Sequence, residues 1–134
     1  VAANRLKPDI GIVLEGTTCA DVPKVKEHEV STVMGKGPSL SFADRTSLAD
    51  RELLEHFFRT AEKEKIPYQW KTTVSGGNDA GRIQTSGTGV KTLVVSVPCR
   101  YIHSPVSVLD LNDLENMLKL VSRGLHTLPG ALGR

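Results

Sequence analysis

The hydrophobic positions of this chain fall into short runs and one-sided stripes. Residues 10–14 (Ile-Gly-Ile-Val-Leu) are an apolar run between Pro8-Asp9 and Gly16, and they predict a buried strand ending at Glu15. Residues 17–27 are polar, contain Pro23 and read as a loop. Residues 29–34 read as a second strand, closed by the turn-forming run Gly35-Lys36-Gly37-Pro38. Leu53, Leu54, Phe57, Phe58 and Ala61 recur at helical spacing. They predict a helix from about Ser47 or Asp50 to Lys65, with Asp44, Ser47 and Asp50 as candidate N-caps. Residues 69–74 read as a strand, and residues 75–81 as a tight loop able to open a short helix. Residues 92–97 form the most apolar strand. Leu114, Met117, Leu118 and Val121 predict a last helix over 112–123, capped by Asp110 or Asn112 and ended by Gly124. The remainder, residues 126–134, holds Pro129, Gly130 and Gly133 and is expected to be a flexible tail. Strands alternating with helices predict an α/β fold whose sheet is covered on both faces.

Composition narrows the functional classes. At 134 residues the chain can bury one real core, so a single domain is expected. The formal net charge is +2 and aromatic residues make up 4%, which gives neither the electrostatic footprint nor the stacking surface of a nucleic-acid binder. No apolar run approaches the roughly 20 residues of a membrane-spanning helix. No signal peptide opens the sequence. Cys19 and Cys99 lie far apart, form no CxxC and read as free thiols in a reducing cytoplasm. The first residues, Val1-Ala2-Ala3, are compatible with a processed, nicked or truncated product.

Three positions stand out chemically. In open α/β sheets ligands gather beyond the carboxyl ends of strands, and Glu15, Asp79 and His103 each follow a predicted strand. A carboxylate at the end of an apolar strand is solvated, paired or bound to a metal, because burying it alone costs several kcal/mol. A histidine beside a strand is either hydrogen-bonded structure or a ligand. Carboxylate and neutral imidazole together suit zinc, cobalt or manganese. Gly76 and Gly77 let backbone approach a ligand closely, although a helix-entry turn with Asp79 as cap explains the same residues. Gly35-Lys36-Gly37-Pro38 lacks the spacing and the following Ser or Thr of a phosphate loop and reads as a plain turn. His28, His56 and His126 show no ligand spacing, and His56 reads as structural within its helix. GxSxG and HExxH are absent.

The run Gly76-Gly77-Asn78-Asp79-Ala80-Gly81, then Gly89-Val90, then Val94-Val95-Ser96-Val97-Pro98-Cys99-Arg100-Tyr101-Ile102-His103-Ser104-Pro105, resembles the C-terminal part of the M42 metallo-aminopeptidases. Pro8 to Glu15 and Gly35-Lys36-Gly37-Pro38 fall in the family's order and approximate spacing, so the resemblance spans nearly everything to about Leu125. That family includes the tetrahedral and glutamyl aminopeptidases and proteins labelled endoglucanase. The resemblance implies a three-layer α/β/α sandwich of the zinc-peptidase type, present here in part: residues 1–125 would be the C-terminal segment of the catalytic domain. It implies two divalent metal ions, zinc or cobalt, and peptide substrates. It also implies a cytoplasmic homo-oligomer, often a dodecamer. Glu15 matches the terminal carboxylate ligand of one metal and His103 the terminal histidine of the other. Gly76, Gly77, Asn78 and Asp79 would line the substrate side. Arg100 is a further candidate there, with support of the sheet edge as its alternative role.

The departures bear on activity. The family's first metal histidine, bridging aspartate and adjacent glutamate pair, one of them the general base, lie before Val1 in that pattern, and the inserted dimerisation domain is also missing. Lys91 stands where proline is common, and residues 17–24 match loosely. The expectation is a catalytically incomplete segment of a metal-dependent aminopeptidase. Two other readings stay open: a non-catalytic module kept for assembly or peptide binding, and a glycan hydrolase. The last has no carboxylate pair to support it.

Overall fold

The computed structural model describes residues 2–131, with side chains as far as Leu128. A short helix α1 (Ala2–Leu6) leads into strand β1 (Ile10–Thr18), which the apolar run starts and the polar residues Glu15 to Thr18 continue. After a long loop come β2 (Ser39–Ser41), helix α2 (Arg51–Glu64), β3 (Gln69–Trp70) and α3 (Ala80–Gln84). Strand β4 (Lys91–Arg100), the short β5 (Val108–Leu109) and helix α4 (Leu111–Ala131) complete the described chain. The sheet order is β1-β4-β2-β3, with β5 on the far end of β4. β1 runs parallel to β4 over nine pairs, Ile10 with Lys91 to Thr18 with Cys99, whereas β2 and β5 run antiparallel to β4.

Period-two alternation along β4 divides the molecule. Leu93, Val95, Val97 and Cys99 enter the main core with Leu53, Phe57 and Ala61 of α2 and Met117, Leu120, Val121 and Leu128 of α4. On the opposite face Val94 packs with Val13 of β1 and with Ala80 of α3. Helices therefore lie on both faces, as expected. But α3 is five residues long and covers one patch. Ser96, paired with Glu15 on β1 and with Ser39 on β2, continues that second face beyond it.

Several elements differ from the sequence expectation. Glu15 does not end its strand: β1 carries on to Thr18, so Glu15 sits within it, held in register by Ser96. Residues 29–34 are no strand. A 3-10 turn occupies Glu27–Glu29, the Ser31 and Thr32 amides share the Cys19 carbonyl, and Val33 pairs with a side chain. The Gln69 amide accepts from Val33 N at 2.8 Å and donates to Val33 O at 2.8 Å, doing what a neighbouring strand would do. The three-residue β2, with its two serines, carries no apolar alternation to announce it. Lys71 N still donates to Leu40 O of β2, but residues 72–74 leave the sheet, and Thr72 bonds instead to the 30–31 segment.

Asp50 is the N-cap of α2, accepting from Leu53 N at 3.1 Å, and Lys65 closes that helix with φ 53°. Gly124 is not a helix stop, and the tail expected to be flexible is helical to Ala131; residues 132–134 lie outside the described residues. A Cβ on Gly124 would lie 2.6 Å from the Phe57 ring, so the glycine marks where α4 crosses α2. Apolar positions 117, 120, 121 and 128 carry the buried stripe past it. The Gly35–Gly37 turn is fixed by Asp113, which is 1% exposed: its carboxylate accepts from Gly35 N at 2.6 Å and Gly37 N at 2.7 Å. The anion at this loop is the protein's own, and the turn is the plain one the sequence predicts.

Candidate active site

The uncovered part of the second sheet face is a cavity of about 370 Å³ beyond α3. Glu15 projects into it from β1 and Ser96 from β4. His103 enters from the turn that follows β4, three residues past the strand end. That turn is tight: Tyr101 at φ 59° and His103 at φ 67° both occupy the left-handed region, which costs non-glycine residues strain. The strain bends the chain over the sheet edge and leaves the imidazole exposed on the cavity rim. The carboxylate and the imidazole chosen from sequence thus share one cavity. Among the described residues no three His, Cys, Asp or Glu side chains come together as a metal cluster. Glu15 and His103 are the right kinds of donor for a zinc-like ion, but as a pair they fall short of the three or four protein ligands such a site uses.

The Gly76-Gly77-Asn78 loop forms the opposite wall. Gly76 has φ 78°, and a Cβ on Gly77 would stand 2.6 Å from Thr46, so both glycines are required where they stand. Asn78 is tied down at both ends. Its Nδ2 donates to Asp44 Oδ2 at 2.7 Å, and its Oδ1 accepts from Ala80 N at 2.9 Å, capping α3. Asp44 is therefore not a cap of α2 but the anchor of this wall. It also accepts from the backbone and hydroxyl of both Thr46 and Ser47. Burial pushes the Asp44 carboxyl up, yet these hydrogen bonds outweigh it and hold the group below its usual range. Asp79 is exposed, makes no side-chain capping bond and does not line the cavity.

Arg100 points elsewhere. Its Nε and Nη2 donate to Asp21 Oδ1 and Oδ2 at 2.8 and 3.0 Å, a bidentate pair that joins the end of β4 to the loop after β1. Asp21 also accepts from Met34 N at 2.9 Å. The Arg100 hydrogen bonds hold the Asp21 carboxyl below its ordinary value. Arg100 does not line the cavity, and its side-chain partner lies in the loop after β1. Beneath this pair lie Cys19 and Cys99, both free and buried. Burial, and then the neighbouring Asp21 charge, push the Cys19 thiol up to about 11.

Sequence reasoning missed most of the remaining wall: Thr17, Ser31, Ser41, Lys71, Ser75 and Ile102. One signal was available. Ser96 interrupts an otherwise apolar strand, and a hydroxyl at a buried sheet position marks a face that meets something polar.

A model of the M42 glutamyl aminopeptidase family matches residues 1–120. The chain belongs to that family. It is 32% identical over 129 residues to a lysyl aminopeptidase of Pyrococcus furiosus, covering 96% of this chain and 36% of that protein. The TET aminopeptidase of Thaumarchaeota archaeon SCGC AB-539-E09 superposes with a TM-score of 0.87 at 40% identity, over 91% of this chain and 34% of that one. The TET1 peptidase of Pyrococcus horikoshii, which can assemble into a tetrahedron or a large octahedral shell, matches at 0.73 and 34% identity, over 91% and 34%. The M42 chain described here spans about a third of the length of these relatives. The partial α/β/α architecture is the one they share.

Proposed function

We propose that this chain is the C-terminal segment of an M42 metallo-aminopeptidase. Glu15 would be a terminal ligand of one divalent ion and His103 a terminal ligand of the other. The observation that carries this reading is their convergence: a strand carboxylate and a turn imidazole, 88 positions apart in sequence, line the same cavity. Bound zinc or cobalt would supply Lewis-acid polarisation of the scissile amide carbonyl. This chain's own residues do the holding and orienting. The tight turn sets where His103 leaves the backbone, β4 fixes the register of Glu15, and the Asp44-anchored Gly76-Gly77 loop presents backbone to an extended peptide. Asp79 contacts the peptide only if it turns inward when substrate binds, and Arg100 acts through the strand end.

No described carboxylate stands in the cavity besides Glu15, so the proton-transferring base comes from the part of the protein the relatives possess and this chain lacks. The 134-residue chain alone is expected to bind metal weakly and to hydrolyse nothing. The full protein would work as a homo-oligomer on peptide N-termini, in keeping with the shells its relative builds. The test compares the longest product of the gene with the 134-residue chain, both supplied with zinc or cobalt and aminoacyl anilides. Hydrolysis by the longer product alone supports the reading. Hydrolysis by the short chain, or by neither, overturns it.

A further inference from the structure

Apart from Glu15 and His103, the cavity has an unusual lining. Thr17, Ser31, Ser41, Ser75 and Ser96 present hydroxyls, the glycines present backbone, and Ile102 is the one large apolar side chain. An aliphatic group entering here would find little apolar surface to bury against. A single lysine, Lys71, also reaches this wall and is partly buried there.

Lys71 follows β3, and its amide donates to Leu40 O at 3.1 Å, which fixes the backbone from which the side chain leaves. Its ammonium donates to the Ser75 carbonyl at 3.0 Å. An ammonium has three donors, and this contact uses one. Among the described residues no carboxylate forms an ion pair with it. The cavity's single acidic group is Glu15, which the reading above assigns to a metal. A cation on the wall of a hydroxyl-lined recess, with two donors left over and no carboxylate paired to it, is placed to meet an anion brought from outside.

We propose that Lys71 receives a carboxylate of the peptide substrate and so biases the enzyme towards substrates that carry one at that point. This rests on the aminopeptidase reading. The carboxylate has two possible sources, the side chain of an acidic N-terminal residue or the free C-terminus of a very short peptide. The ammonium, anchored on the Ser75 carbonyl, suits either.

The test uses the longest product of the gene, loaded with zinc or cobalt, and three substrates: glutamyl anilide, leucyl anilide and leucyl-leucine. The Lys71→Met variant is expected to lose about tenfold or more in kcat/KM on a carboxylate-bearing substrate while staying within about threefold on leucyl anilide. Loss on glutamyl anilide identifies the side chain as the source, and loss on leucyl-leucine identifies the C-terminus. The Lys71→Arg variant keeps the charge and should restore most of the preference, which a folding defect would not allow. Equal loss on all three substrates, or no loss on any, overturns the role of Lys71 and leaves the peptidase reading intact. Hydrolysis of none of the three by the wild type removes the peptidase reading, and this inference with it.

Discussion

Asp21 and Arg100 show how single residues hold the cavity's rim. Their bidentate pair ties the end of β4 to the loop that follows β1, immediately before the turn that carries His103 begins at Tyr101. The Asp21 carboxyl is held below its ordinary value in the folded protein, so its contribution to stability is complete above the usual carboxylate range and fades as pH falls through the folded pKa. The Asp21→Asn variant should therefore unfold at lower urea than wild type near pH 7, and the gap should narrow towards about pH 3. A gap that stays constant with pH would mean that the charge is not what matters. Arg100 had been singled out from the run that contains His103, which was legible. Its partner Asp21 was not, because it lies 79 positions away in a loop without periodicity.

At the scale of elements, sequence pattern worked where a stripe or run faced one large core and failed where side chains replaced backbone. α2 and the apolar strand β4 were legible because Leu53, Phe57, Leu93 and Val95 repeat at the periods of helix and strand. The 29–34 segment carried strand-like residues, but its hydrogen bonds go to the Gln69 amide and the Cys19 carbonyl, which no local pattern encodes. Gly124 was misleading for a related reason: glycine signals a helix end by its freedom and a helix crossing by its lack of bulk, and here the second applies. Gly124→Ala should cost about 1–3 kcal/mol by forcing Phe57 from its place, measured as a fall in the denaturation midpoint. A neutral or stabilising effect would show that α4 can shift away from α2 without loss.

Across the whole molecule, one face of the sheet is a closed apolar core and the other a polar recess that α3 half covers. That division places Glu15, Ser96 and His103 together and leaves them open to whatever completes the site. Glu15 and His103 were singled out by resemblance and by position near strands, and both line the recess. The hydroxyl wall and Lys71 were not, since serine and threonine scattered over five segments look like ordinary loop residues until the sheet assembles them. No helix among the described residues is long and apolar enough to cross a membrane.

The most direct test of the central claim is the metal content of the longest gene product beside its Glu15→Ala and His103→Ala variants, by mass spectrometry after exhaustive dialysis. The account predicts about two ions per chain in the wild type, with each substitution emptying or weakening one site and leaving the fold intact by circular dichroism. Metal content unchanged in both variants would contradict it, because Glu15 and His103 would then share a cavity without holding the ions in it.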